Sequence, residues 1–434
     1  MRRPPAAVLV FLLAAGPAAA VEDEPVTLAS LGLKGHAMFK NFSFFTDTPT
    51  DNRNFHNEGI LLVEWSRRLA PWSDVKLELE ARADDDDYAR GITFQIPETS
   101  ERRSVLSVKE AMLAVRRGPF EVMVGKQIFA WGTADAFNPT DTLNPYDYLD
   151  ALDTEKLGIW SVAARATFGP TSVIFVVVPF FTPSRTPIVG SRWNPAPPSG
   201  GIVDDRQVPG RDIGNMQYAA RLRTTVRGWD LSVSYYEGFD DLPEVRVQPQ
   251  EVAPGVVVPR FTPVFPRIRV PGGDVSTTVG KFELHAEGAF RLVEDNGRQD
   301  TFQWIAGLNY TFDDFKLRWL QQMIFVLEYA RATALTTHRH SGIIETPGLG
   351  PGAFRDAPAG RITFKFSEDT QVKLTALLDL TRSAGHYAQA KVTHKLTDAL
   401  HVEAGLDVMA GARGTFWGRF RDNDRFFFLA RYYF

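Results

Sequence analysis

The last ten residues of the chain, Arg425-Phe-Phe-Phe-Leu-Ala-Arg-Tyr-Tyr-Phe434, constrain the fold more than any other stretch. At the two-residue period of a strand, Phe426, Phe428, Ala430, Tyr432 and Phe434 fall on one face, and the sequence stops on an aromatic. A water-soluble domain has no evident reason to finish on an apolar strand face with nothing following to cover it. Such a face is stable where the solvent is itself apolar. In a bilayer every backbone polar group must be satisfied within the protein, so strands cross only as a sheet closed on itself.

The terminal strand resembles that of Gram-negative outer-membrane β-barrels, whose closing aromatic is read by the barrel-insertion machinery. The resemblance implies that Phe426, Phe428, Tyr432 and Phe434 form the insertion signal, and that membrane lipid and lipopolysaccharide surround the chain in a bacterial outer membrane. The other end agrees. Met1-Arg2-Arg3 is a short positive region, Ala6 to Gly16 an apolar core, and Ala18-Ala19-Ala20 a small-residue cleavage site. That is the layout of a secretory signal peptide over 1–20, its apolar run well short of the roughly 20 residues a spanning helix needs. Residues 21–30 are then a short periplasmic segment and 31–434 the barrel. The most apolar internal stretch, Val173 to Phe181, is also too short to span as a helix and is broken by Pro179. The absence of cysteine excludes a disulfide scaffold or thiol chemistry.

Composition fits the same class. The chain carries 32 Phe, 9 Trp and 11 Tyr, yet its mean hydropathy is slightly negative at -0.17. Aromatic girdles outside, charges inside and polar loops would give that combination. Cleavage removes two of 48 basic residues against 52 acidic ones, leaving a net charge near -6 that argues against a nucleic-acid partner.

Strands of alternating polarity recur along the whole chain. Val75, Leu77, Leu79 and Ala81 alternate with Lys76, Glu78, Glu80 and Arg82. Phe282, Leu284, Ala286, Phe290 and Leu292 alternate with Lys281, Glu283, His285, Glu287 and Arg291. Phe302 to Tyr310 repeats the pattern, as do Val372 to Leu380 around Lys373, Thr375 and Asp379. Short turns are expected at Ala70-Pro71, Arg117-Gly118-Pro119, Gly169-Pro170, Arg227-Gly228, Gly272-Gly273, Asp313-Asp314, Ser367-Glu368-Asp369 and Thr397-Asp398. Longer polar connections lie between them at 84–103, 130–157, 182–212, 239–258 and 331–357. The expectation is an all-β fold, a single transmembrane antiparallel β-barrel of about 18 strands with short periplasmic turns and long outer loops. The weakest strand lies near Arg260 to Val270, where Pro263 and Pro266 would interrupt a ladder, so 16 strands is the alternative. Lys126 breaks the pattern: after lipid-facing Val122 and Val124 it needs either a bulge at Gly125 or a snorkelling side chain.

Residues 125–153 carry the functional signal. Gly-Lys-Gln, Trp131-Gly132, Asp135 and two Asn-Pro-x-Asp units, Asn138–Asp141 and Asn144–Asp147, precede Asp150 and Asp153. This third outer loop resembles that of a family of uncharacterised outer-membrane barrels, some found beside RND-type exporters of hydrophobic cargo. In porins the third loop folds inward and sets the constriction. Proline fixes φ, and Asn and Asp cap nearby amides, so the loop is built to be rigid. The expectation is an acidic rim of Asp135, Asp141, Asp147, Asp150 and Asp153 facing strand arginines Arg221, Arg223 and Arg361, a crossed-charge pore for polar solutes. The alternative is that these aspartates only cap turns and stay solvated. Trp131 reads equally as an interface anchor or a substrate platform.

Other constellations are weaker. Asp84 to Asp87 suits Ca2+, though a solvated acidic loop is the simpler reading. His338 and His340 have no third ligand in the sequence, and His285 reads as lumen lining. No catalytic, metal or cofactor constellation emerges, and enzyme barrels are narrower. A TonB-dependent receptor would need a longer chain and an N-terminal plug. The reading is a channel for small polar or amphipathic molecules, open to homo-oligomerisation. The runner-up is an accessory barrel or conduit for an exporter of lipids or hydrophobic compounds. Leu320, Ile324 and Val326, sharing a face with Lys316, Arg318, Gln322 and Glu328, keep it in play.

Overall fold

The computed structural model describes residues 32–48, 51–92, 95–194, 201–294, 299–313, 315, 317, 319–336, 343–345, 353–381 and 385–434. The expected leader, Lys316, Arg318, His338 and His340 lie outside the described residues.

Eighteen strands form one antiparallel sheet. In chain order they are β1 (Leu33–Phe44), β2 (Phe55–Ala70), β3 (Ser73–Asp84), β4 (Leu106–Arg117), β5 (Phe120–Gln127), β6 (Ile159–Phe168), β7 (Thr171–Val178), β8 (Gln217–Val226) and β9 (Trp229–Phe239). There follow β10 (Arg267–Val279), β11 (Phe282–Val293), β12 (Thr301–Phe312), β13 (Gln322–Ala334), β14 (Asp356–Lys365), β15 (Thr370–Asp379), β16 (Gly385–Lys395), β17 (Leu400–Ala410) and β18 (Arg425–Tyr433). Each pairs with its sequence neighbours, and β1 pairs with both β2 and β18, so the sheet closes. Phe434 extends this seam by exchanging backbone hydrogen bonds with Gly35 at 3.0 and 3.1 Å. Closure removes every edge, which is what a bilayer demands.

The alternation becomes an inside and an outside. Along β5, Val122 and Val124 are 42% and 48% exposed while Met123 between them is 7% exposed. Large side chains cluster at the short-turn end: Trp72, Phe120, Phe168, Trp229, Phe282 and Trp319 are all exposed there. This is a girdle for the membrane interface.

The expected strands and turns need three corrections. Gly272 and Gly273 do not turn; they lie inside β10, opposite Ser234 and Val233, and the hairpin turns at Gly280-Lys281. Pro263 and Pro266 do not interrupt the barrel. The Val256–Val264 segment pairs instead with Glu244–Ala253 in a small sheet of the loop between β9 and β10, and β10 starts after Pro266. Lys126 needs neither a bulge nor a snorkel. Gly125 takes φ of +133°, the register of β4 and β5 runs on unshifted, and the lysine donates to Glu98 at 2.8 Å and to the Val108 carbonyl at 2.6 Å.

Candidate functional site

The connection between β5 and β6, residues 128–158, is folded by its own polar side chains. Asn144 ties its two stems together. The side-chain oxygen accepts from the Phe129 amide at 2.7 Å, and the side-chain nitrogen donates to the Gln127 and Leu157 carbonyls at 3.0 and 2.8 Å. Asn138 closes a turn on Ala134 through two bonds of 3.0 Å. Asp147 accepts from Leu149 N at 3.1 Å, and Asp150 from Leu152 N and Asp153 N at 2.9 and 3.2 Å. Of the two Asn-Pro-x-Asp units, Asn138 and Asp147 thus cap turns while Asn144 bridges the stems.

The loop then reaches lumen-facing residues on many sides of the ring. Its apolar side, with Phe129, Trp131 and Leu143, packs on Met123, Ala163, Ile174, Val176, Ala219 and Ile268 of β5–β10. Trp131 is buried in this cluster, neither in contact with lipid nor presented to solute, with the Arg221 guanidinium 5.8 Å from its ring centre.

Its acidic side meets cations from the opposite strands and from neighbouring loops. Lys40 of β1 lies 2.6 Å from Asp153, and Arg82 of β3 lies 2.7 Å from Glu155. Arg425 of β18 bonds both Asp150 and Asp407. Arg103 and Arg185, from the loops after β3 and β7, hold Asp147 at 2.9 and 2.8 Å. Burial alone would push the Asp147 carboxyl up, but these two guanidinium groups hold it well below the usual carboxylate range. Asp141 pairs with Lys156.

The tip is held by two wall carboxylates. Glu287 of β11 accepts from Thr133 N at 3.0 Å and from both Thr140 N and its hydroxyl at 2.7 Å. Glu328 of β13 accepts from Asp135 N and Ala136 N at 2.7 and 2.8 Å, and meets His285 Nε2 at 2.7 Å. Arg361 of β14 donates to Asp135 at 3.0 Å. Loop and wall touch so closely that a Cβ on Gly132, whose φ is +94°, would stand 2.5 Å from Glu287 Oε2. No side chain fits there.

The remaining predicted residues are scattered. Lys76 bonds Glu78 at 3.2 Å and also Glu110, and Glu80 bonds Arg82 at 3.0 Å. Arg221 pairs with Asp274 at 2.7 Å, while Arg223 is exposed, 3.8 Å from Asp230. Arg291 pairs with Asp240, and Asp379 caps Thr381 N and Phe416 N at 3.0 and 3.2 Å. Glu283 is exposed near the short-turn end. Lys281 sits in the β10–β11 turn, 2.5 Å from Asp313, rather than along the lumen wall. Ile324, Val326 and Glu328 do share one face of β13, but Leu320 precedes the strand. Asp84 bonds the amides of Tyr88 and Ala89 at 2.9 and 2.6 Å, and Asp86 bonds His56 at 2.6 Å.

Above the tip lies a cavity of about 440 Å³. Phe137 and Phe354 stack at 5.1 Å on it and Tyr387 and Trp417 at 4.9 Å, with Asp135, Asp241 and Arg291 also lining it. Sequence reasoning missed this aromatic lining, and it missed Lys40, Arg103, Arg185 and Arg425 as the loop's partners. Strand parity could have placed Lys40 and Arg425 inside; nothing local marks Arg103 or Arg185.

An 18-strand closed antiparallel barrel with long loops at one end is the architecture of outer-membrane porins, and solved porin structures match it. A BenF-like porin from Pseudomonas fluorescens Pf-5 aligns over 93% of this chain and 97% of its own, with 10% identity and a TM-score of 0.53. OccAB4 of Acinetobacter baumannii aligns over the same shares at 10% identity and a TM-score of 0.50. These likenesses establish the fold. No family model matches the sequence, and no curated protein matches it.

Proposed function

We propose that this protein is a channel of the bacterial outer membrane that passes small polar or amphipathic molecules without chemical change, and that residues 130–157 form its constriction. One observation carries the reading. The loop after β5 is bonded to Glu287 on β11, Glu328 on β13 and Arg361 on β14, and also to Lys40 and Arg425 at the seam. A segment tied to both sides of a ring has to cross it, and one so tied cannot be a floppy external loop. Rigid, pre-bonded walls are what a size filter needs. The lipid belt and lipopolysaccharide surround the barrel, and Phe426, Phe428, Tyr432 and Phe434 present its last strand to the insertion machinery.

The aromatic cavity favours a second reading, in which the barrel serves an RND-type exporter of lipids or hydrophobic compounds. Stacked rings beside a few charged groups suit an amphipathic cargo. Single-channel conductance of the refolded protein in planar bilayers, with the loop intact and with 131–153 shortened, separates the two. Steady ohmic current that rises on shortening supports the channel. A barrel silent in both forms sinks it and leaves the exporter role.

A further inference from the structure

The charges of the lumen are unevenly satisfied. On the β1–β5 side the cations Lys40, Arg82 and Lys109 each lie within 3.0 Å of a carboxylate. The wall made by β14–β17 differs. Arg361, Lys365, Lys373, Lys391 and Lys395 share its lumen-facing parity, while the described acids of that face are Asp379, Asp407 and Glu403. Asp379 is engaged by loop amides and Asp407 by Arg425, so only Glu403 remains, 2.8 Å from Lys391.

Lys373 stands directly opposite Lys391 across β15 and β16. Directly opposed side chains have Cβ atoms about 5 Å apart, and like charges so placed destabilise the ladder. Arg361 lies opposite Thr375, two residues further along the same face of β15. Among the described residues Lys373 has no ion pair and no side-chain hydrogen bond, and its partner lysine is shared with Glu403. Glu403 answers only one of these two ammonium groups. An anion between them turns repulsion into attraction.

We propose that Lys373 and Lys391 form an anion-binding step below Arg361, on the short-turn side of the loop, which makes the channel select small monovalent anions over cations. This rests on the channel reading. Arg361 is held by Asp135 at the loop tip, so a solute clearing the tip next meets the lysines.

The test is the reversal potential of the refolded channel across a potassium chloride gradient, for wild type, Lys373→Gln and Lys373→Glu. Chloride should be preferred in the wild type. The chloride-to-potassium permeability ratio should fall about threefold in Lys373→Gln and further in Lys373→Glu, the scale of one unit charge acting through water. A cation-preferring wild type, or a ratio that neither substitution moves, overturns the proposal. Chloride-35 line broadening by the protein in detergent reads the same site without current. In a silent barrel, broadening that drops in Lys373→Gln keeps the anion site while the channel reading fails; equal broadening in both proteins removes the site as well.

Discussion

At the scale of single residues, the loop's aspartates combine turn capping with ion pairing: Asp135 is exposed and meets Arg361, while Asp147 is buried. Asp147 does both jobs: it caps Leu149 and lies between Arg103 and Arg185, 2% exposed. Breaking a buried pair leaves an uncompensated charge, at about 3–5 kcal/mol. Arg103→Ala should therefore lower the urea midpoint of the detergent-refolded barrel, and Asp147→Asn combined with Arg103→Ala should restore part of the loss. Asp241 behaves oppositely. Burial, beside the Asp240 charge, pushes its carboxyl up to about 6. The folded state then binds more protons than the unfolded chain between about pH 4 and 6, so stability falls as pH rises through that window. Asp241→Asn should be stabilising above pH 6, by up to a few kcal/mol, and neutral below pH 4, read from unfolding midpoints across that range.

At the scale of elements, two carboxylates fix the loop tip. Each accepts at least two backbone amides, and such charge-assisted bonds contribute about 1.5–3 kcal/mol apiece. Glu328→Ala and Glu287→Ala should free the tip; the expected signature is a larger and noisier single-channel current, with protease nicking near 133–140. Unchanged conductance in the double variant would place the tip outside the current path. Within β5, Gly125 holds φ of +133°, and a Cβ there would stand 2.0 Å from the Ala111 carbonyl oxygen. Gly125→Val should reduce refolding yield severely, with Lys126 losing its route inward.

At the scale of the whole molecule, the sheet closes where β1 pairs with β18. Phe434 contributes its backbone to the seam and its ring to the short-turn rim. Phe434→Ala keeps the backbone bonds and removes only the aromatic. Refolding in detergent should be nearly unaffected, while the amount of folded protein reaching the outer membrane of a bacterial host should drop severalfold. Equal loss in both settings would mean that the ring stabilises the barrel rather than being read.

Sequence by itself determined what is local. Side-chain parity has a period of two, so Val122 and Val124 announced a lipid face, and Glu80 and Arg82 a lumen, without knowledge of any neighbour. Turn chemistry at Gly118-Pro119 and Gly169-Pro170 set the hairpins, and the Asn-Pro-x-Asp units set the capped turns of the loop. The exceptions were positions where local rules have two solutions, such as Gly272-Gly273, which suit a turn but sit in a strand. Tertiary structure alone decided which charges meet. Asp150 and Arg425 are 275 residues apart in sequence, and Asp135 and Arg361 are 226 apart. Any aspartate could answer any arginine until closure of the ring sets the distances, because Coulomb attraction carries no sequence address. The same holds for Lys373 and Lys391: each is an ordinary inward lysine in its own strand, and only the register of β15 against β16 brings them face to face.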